Sequence, residues 1–387
     1  MPTDASGILG LPVDESPSLR FKSISILDWT TGPESKPPLG GKASLELSEE
    51  RTVLVGRNGS GKSAFLEGTL AAAKEATGKK VDGPRAFACE ISGLSDVLSY
   101  SFSEEWVNDA PIWTEVCRFP GTRVAWEVRG GVVVDRETAA QQLIPSTSGL
   151  LSIRDSRPSA QRLRQALLGI RLIRAGVPRA SEVRAPITFR RVERKPGSVS
   201  WTPSTKANPR IDRIGAHLIK WSMLLSDRYA EFEAIGRRIG LFQKLSVTHF
   251  NKPATERATF AEVEIDGVNL GLLSDGTLRT CEIILALVQP TVRLLMIEEP
   301  ETGIHPGLLR KILAELDAYA GDKQIVVSTH SPAVVDWARA DELRLVAREK
   351  GVTTLRTIPE DERTALHRYL DEKGALSEFV FLRSTED

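Results

Sequence analysis

The chain has 387 residues, 41% hydrophobic and 26% charged, with 51 Lys+Arg balanced by 51 Asp+Glu. This is an ordinary globular composition with room for two or three units of roughly 150 residues each. Cys89, Cys117 and Cys281 lie far apart and form no CxxC or Cys/His cluster, which argues against disulfides and structural zinc and fits a reducing cytosol. The first twenty residues carry Asp4, Asp14 and Glu15 and lack the basic start and apolar stretch of a signal peptide. Nothing approaches the ~18 apolar residues of a membrane span.

In chain order, Phe21–Leu27 and Ala43–Leu47 alternate apolar with polar residues, which predicts two half-buried strands separated by Pro37-Pro38-Leu39-Gly40-Gly41. Arg51–Val55 is a short apolar strand leading into Gly56-Arg57-Asn58-Gly59-Ser60-Gly61-Lys62-Ser63, which matches the phosphate loop GxxxxGK[ST] at every fixed position. A helix then runs from Ser63 and Ala64 through the alanines at 71 to 73. The glycines allow a tight turn whose N–H groups converge on phosphates at a helix N-terminus, where the dipole favours negative charge. Lys62 then reaches the β/γ-phosphates and the Ser63 hydroxyl ligates Mg²⁺.

Val124–Val128 and Val132–Val134, flanking Arg129-Gly130-Gly131, predict a hairpin. Ser159–Ala175 has apolar residues near helical spacing, Pro178–Pro209 is rich in Pro, Arg, Ser and Thr and is expected to contain a mobile or extended loop, and one long helix is expected from Ile211 to about Ile239. Residues 151–213 hold 15 Lys+Arg against 4 Asp+Glu, an excess of +11 that suits an anionic partner such as nucleic acid or, more plainly, a solvated arginine-rich face.

Leu273-Ser274-Asp275-Gly276-Thr277 precedes an apolar helix; Ser274 and the N–H groups near Gly276 form either a second anion site or a simple helix cap. Leu294–Ile297 reads as a strand buried on both faces that delivers Glu298 and Glu299 to its C-terminal end, the edge where ligands of open α/β sheets bind. Successive side chains on a strand point to opposite sides, so Glu298 is assigned to the Mg²⁺ and Glu299 to the general base that activates water. A second such strand, Gln324–Ser328, ends in Thr329-His330-Ser331-Pro332 and places His330 at the same edge. Leu343–Val346 with Thr353–Arg356 predict a closing hairpin, and Glu360–Leu370 a helix.

These motifs together resemble the heads of ABC-type ATPases. LSDGT is similar to the ABC signature, LLMIEE to Walker B and STHSP to the switch-histidine loop, while EPETGIHP (299–306) resembles the OLD-like and AAA_21 branch, related to RecF and SMC proteins. The resemblance implies an α/β P-loop NTPase: an ABC-type ATPase head with an antiparallel β subdomain and a mainly helical insertion lobe. Residues 1–150 and 246–387 would form the head, and 151–245 the basic insertion. The 209 residues between Ser63 and Leu273 are too few and too irregular for a long coiled-coil arm. Only 57 residues follow His330, so no TOPRIM nuclease domain is expected there.

The resemblance further implies ATP and Mg²⁺ as cofactors. ATP is cradled by Gly56, Asn58, Gly59, Ser60, Gly61, Lys62, Ser63 and Ala64 of one protomer and covered by Ser274 and Gly276 of its partner. Catalysis falls to Glu299, His330 and Lys62, and the metal to Ser63 and Glu298. The expected protein is a cytosolic, ATP-dependent homodimer, or a larger assembly built from it, serving as sensor or motor beside a separate effector such as a nuclease in anti-phage defence. The alternative is a RecF-like DNA-binding repair clamp that uses the basic segment 151–213. Gln141, Gln142, Gln161 and Gln165 all stay open as the metal-sensing glutamine, with Gln141-Gln142 preferred.

Overall fold

The computed structural model describes residues 19–27, 39–79, 81, 84–93, 98–107, 110–119, 124–135, 141–145, 149–153, 157–176, 185–195, 198–204, 208–251, 259–359, 362 and 377. Two compact units divide them, one within Gly176–Gln289 and Thr302–Glu315, the other within Pro17–Ala175, Pro290–Glu301 and Leu316–Asp387. Among the described residues no helix is long and apolar enough to cross a membrane.

The second unit holds two sheets. Strands β1 (Arg20–Leu27) and β2 (Lys42–Glu46) lead to β3 (Arg51–Val55) and helix α1 (Lys62–Ala76). Next in the chain come β4 (Ala86–Ser92), β5 (Leu98–Val107), β6 (Ala110–Arg118), β7 (Val124–Arg129), β8 (Val132–Asp135) and β9 (Gln141–Leu143). With β1 and β2, strands β4 to β9 make an eight-stranded antiparallel sheet in the order β2-β1-β4-β5-β6-β7-β8-β9. The hairpin expected around Gly130-Gly131 is β7–β8.

Helix α2 (Pro158–Leu168) is succeeded at once by β10 (Ile170–Ile173). Ile170 and Ile173 therefore do not continue a helix. They pair in parallel with Leu294 and Ile297 at one edge of the second sheet. A short, largely apolar run satisfies a strand as well as a helical stripe, and the sheet edge decided it.

The first unit begins with β11 (Phe189–Lys195) and β12 (Ser198–Pro203), an antiparallel pair where a loop was expected. The single helix expected over 211–239 is two, α3 (Pro209–Leu224) and α4 (Ser226–Ile239), broken at Leu225, whose φ −142 and ψ 61 are not helical. Strands β13 (Leu245–Asn251), β14 (Thr259–Ile265) and β15 (Val268–Asn269) complete its sheet, with the order β12-β11-β14-β13 and β15 on β14. Helix α5 (Asp275–Val288) is buried from Leu278 onward and packs with α3 and α4. Phe189 lies where a Cβ on Gly215 of α3 would fall, 2.0 Å from its ring, so that glycine lets helix and sheet close up. The segment 151–245 thus contributes to both units, and β13 to α5 share the unit of β11 to α4.

The remaining elements are β16 (Leu294–Glu298), α6 (Pro306–Tyr319), β17 (Gln324–Thr329), α7 (Pro332–Val335), β18 (Leu343–Glu349) and β19 (Val352–Thr357). The second sheet runs β10-β16-β17-β3-β18-β19, parallel through β18. Every residue of β3, β16 and β17 is buried, as central strands covered on both faces require. The register aligns their C-terminal ends: Glu298 pairs with Ser328, and Thr329 with Val55, so three strand ends open onto one edge. The hairpin β18–β19 closes the sheet where the sequence predicts it. Apart from Glu362, the helix expected over 360–370 lies outside the described residues.

Candidate nucleotide site

The loop between β3 and α1 is shaped by its glycines. Gly59 and Gly61 have φ +79 and +105, the left-handed region open to glycine at little cost. A Cβ on Gly61 would lie 2.2 Å from Thr353 Oγ1 of β19, and one on Gly56 2.0 Å from the Val346 carbonyl of β18. Thr353 Oγ1 also donates to the Ser60 carbonyl at 2.9 Å, so the closing hairpin buttresses the loop. Helix α1 starts without a side-chain cap, which leaves its first N–H groups for another acceptor.

A cavity of about 280 Å³ is lined by Asn58, Gly59, Gly61, Lys62, Ser63, Ala64, Glu299, His330 and Arg348. Gly56 and Ser60 support the loop from behind and are not among the lining residues; Ser60 is buried. Lys62 Nζ donates to the carbonyls of Gly56 at 2.6 Å and Arg57 at 3.0 Å. Burial pulls its pKa down to about 8, against the opposing pull of Glu299 and Glu301.

Glu299 comes directly after β16 with φ +42, rare for a residue with a Cβ and further restricted because Pro300 comes next. Such conformations cost about 1–3 kcal/mol and persist where surrounding structure imposes them. Here its N–H donates to the Ser328 carbonyl at 2.7 Å. His330 Nε2 stands 3.8 Å from Glu299 Oε1. Partial burial, then Lys62, lower the His330 pKa, while Glu299 and Glu301 act the other way, so the ring is mostly neutral at pH 7.

Glu298 is buried, and its Oε2 accepts from the Ala175 N–H at 3.1 Å. It is not among the lining residues; Ser63 is. A hydroxyl and a carboxylate are hard oxygen donors of the kind Mg²⁺ takes alongside nucleotide phosphates and water. Among the described residues no group of three or more His, Cys, Asp and Glu could hold a metal. None of Gln141, Gln142, Gln161 and Gln165 lines the cavity, and β9, which carries the first two, is an exposed edge strand.

Ser274 and Gly276 belong to the other unit. Ser274 caps α5, its Oγ accepting from Thr277 N–H at 3.1 Å. A Cβ on Gly276 would fall 2.1 Å from the Gly303 carbonyl, and Arg279 donates to the Thr302 carbonyl at 3.1 Å, so the start of α5 rests on the segment just beyond Glu301.

Three residues at the site belong to none of the residues expected from the sequence to act there: Glu301, Arg348 and Thr353. Glu301 had a visible signal, an acid two positions beyond Glu299 on the same turn. Arg348 and Thr353 reach the loop only through the pairing of β18 with β3 and β19, which no local pattern announces.

The fold is α/β, with a mainly parallel sheet whose strand β3 runs through a glycine-rich loop into helix α1. Residues 183–336 match a family model described as "AAA domain, putative AbiEii toxin, Type IV TA system". The match encloses the signature-like loop, β16, the acidic turn and His330, and begins after the phosphate loop. No curated protein matches the sequence. Among solved structures, an Smc head bound to the C-winged helix domain of ScpA aligns with TM-score 0.45 at 10% identity, over 89% of this chain and 99% of that one. An SMC head domain from Thermotoga maritima aligns with TM-score 0.41 at 13% identity, over 88% and 99%. An ATP-binding subunit of an ABC transporter aligns with TM-score 0.44 at 13% identity, over 94% and 99%.

Proposed function

We propose that this protein binds ATP with Mg²⁺ and hydrolyses it at the cavity between the phosphate loop and the ends of β16 and β17. One observation carries the reading: Lys62, Ser63, Glu299 and His330, delivered by three separate strand ends, line a single cavity. Lys62 exchanges the carbonyls of Gly56 and Arg57 for phosphate oxygens, and the uncapped N–H groups of α1 receive the same anion. Mg²⁺, held by Ser63 and Glu298, would neutralise phosphate charge. Glu299 takes the proton of the attacking water, and neutral His330 beside it orients that water and the terminal phosphate.

In the same reading two protomers close head-to-head on ATP, with Ser274 and Gly276 of one covering the nucleotide of its partner. Hydrolysis then releases them. A protein of this design is a switch more than a metabolic enzyme, and its place is as sensor or motor beside a separate effector in anti-phage defence. The toxin and type IV system named in the family description support that setting. A RecF-like DNA clamp fits less well. It rests on the basic excess of 151–213, and Arg157, Arg174, Arg210 and Arg213 of that segment are engaged with Asp135, Glu67 and Glu282.

Light scattering on size-exclusion-purified Glu299→Gln, with and without ATP and Mg²⁺, tests the reading. A mass that doubles only with nucleotide supports it; one that ignores nucleotide while ATP is bound removes the head-to-head mechanism. Co-elution with short duplex DNA at low salt, lost steeply as salt rises, would shift weight to the clamp.

A further inference from the structure

Glu301 gathers the whole switch loop onto one oxygen. Its Oε1 accepts from Thr329 Oγ1 at 2.7 Å and from the His330 N–H at 3.0 Å. Thr329 Oγ1, having donated its proton to Glu301, accepts from the Ser331 N–H at 2.8 Å. Three consecutive residues are therefore tied, directly or through one hydroxyl, to a single carboxylate. Its Oε2 is buried and has no hydrogen-bond partner among the described residues.

The carboxylate is itself held in place. The N–H of Glu299, two residues earlier, bonds to the Ser328 carbonyl, so the turn after β16 and the loop after β17 are joined once through backbone and again through Glu301. Pro300 stiffens the link between the two acids. Among the described residues the imidazole of His330 has no comparable anchor: Glu299 stands 3.8 Å away, too far for a hydrogen bond. Its position in the cavity is set mainly by the backbone that carries it.

We propose that Glu301 is the positioning residue for His330: it fixes the backbone of the switch loop so that the imidazole stands in the cavity beside Glu299. This rests on the ATPase reading above. Charged acceptors make the shorter and stronger class of hydrogen bond, and a buried polar network holds one geometry only while its members stay paired. A carboxylate also keeps negative charge near Lys62 and His330, whose protonated forms it favours.

Two substitutions separate geometry from charge. Glu301→Ala removes both hydrogen bonds and should lower kcat about 30-fold, short of the hundredfold that about 1 Å of misplacement costs. Its affinity for ATP should stay within about twofold, because the phosphate loop is untouched. Glu301→Gln keeps an acceptor oxygen for both donors and should bring kcat back to within about threefold of wild type. In nucleotide-free protein, hydrogen exchange at the His330 and Ser331 amides should rise about tenfold in Glu301→Ala and stay near wild type in Glu301→Gln. Equal losses of kcat in both variants, a fall in ATP affinity matching that in kcat, or unchanged exchange in Glu301→Ala would overturn the proposal. If wild type neither binds nor hydrolyses ATP the functional reading fails on its own, and the exchange measurement still decides whether Glu301 holds the loop.

Discussion

Two helices in this chain have glycine at or beside their first turn, and they begin differently. Helix α1 starts behind left-handed Gly61 with no side-chain cap, and the nearby Lys62 ammonium is parked on two loop carbonyls. Helix α5 starts behind Ser274, whose hydroxyl already serves the Thr277 N–H. One helix start is left open for a ligand and the other is satisfied in the free chain. In the proposed reading the open start receives ATP within one protomer, and the capped one meets it only across a dimer.

The sharpest way to break this comparison is at the chemistry beside α1. Glu299→Gln should lower kcat for ATP about a thousandfold while leaving nucleotide affinity nearly unchanged, measured by phosphate release and by titration of a fluorescent ATP analogue. Lys62→Ala should weaken ATP binding about a hundredfold, the loss of a charge-assisted contact to phosphate, with little change in melting temperature. If both variants lose binding alike, the division between holding and hydrolysing is wrong.

Acidity probes the same helix start more gently. Phosphate prefers protonated Lys62, whose pKa in the free protein lies at about 8. ATP affinity should therefore be steady below that value and fall as pH rises through it, by up to about tenfold per unit. Lys62→Arg, which stays charged, should show no such fall. The smallest effect belongs to α5. Ser274→Ala removes a cap worth about 1 kcal/mol, so the free protein should melt slightly lower while ATP binding to the single protomer is unchanged. If Ser274 also covers the nucleotide of a partner, the same variant weakens the ATP-dependent dimer in light scattering beyond what the lost cap explains.

The sequence disclosed the parts of the molecule whose chemistry is local. The phosphate loop, the strand ends at Glu298-Glu299 and His330, and the hairpin β18–β19 are all written in contiguous residues whose period or spacing has one reading. Ile170–Ile173 and Phe189–Pro203 were harder. The first is a strand only because β16 lies beside it, and the second pairs within itself and with β14 despite a composition rich in turn formers. Leu225 breaks the α3–α4 run without glycine or proline, so no residue type marks it. At the site, Glu301 was in plain view, yet its role depends on the neighbouring strand, and Arg348 arrives from a partner strand more than 280 positions beyond the loop.

The glycines of the phosphate loop answer to more than one master. Gly56 and Gly61 have no room for a methyl group because the closing hairpin occupies that space, whereas nothing lies within 4 Å of the place a Cβ on Gly59 would take. In a descendant that abandoned nucleotides, Gly59 would be held only by its left-handed φ of +79, whereas the hairpin would still hold the other two. Part of the motif's spelling would then outlive its use, preserved by backbone and side-chain atoms of a hairpin that has its own reasons to stay where it is.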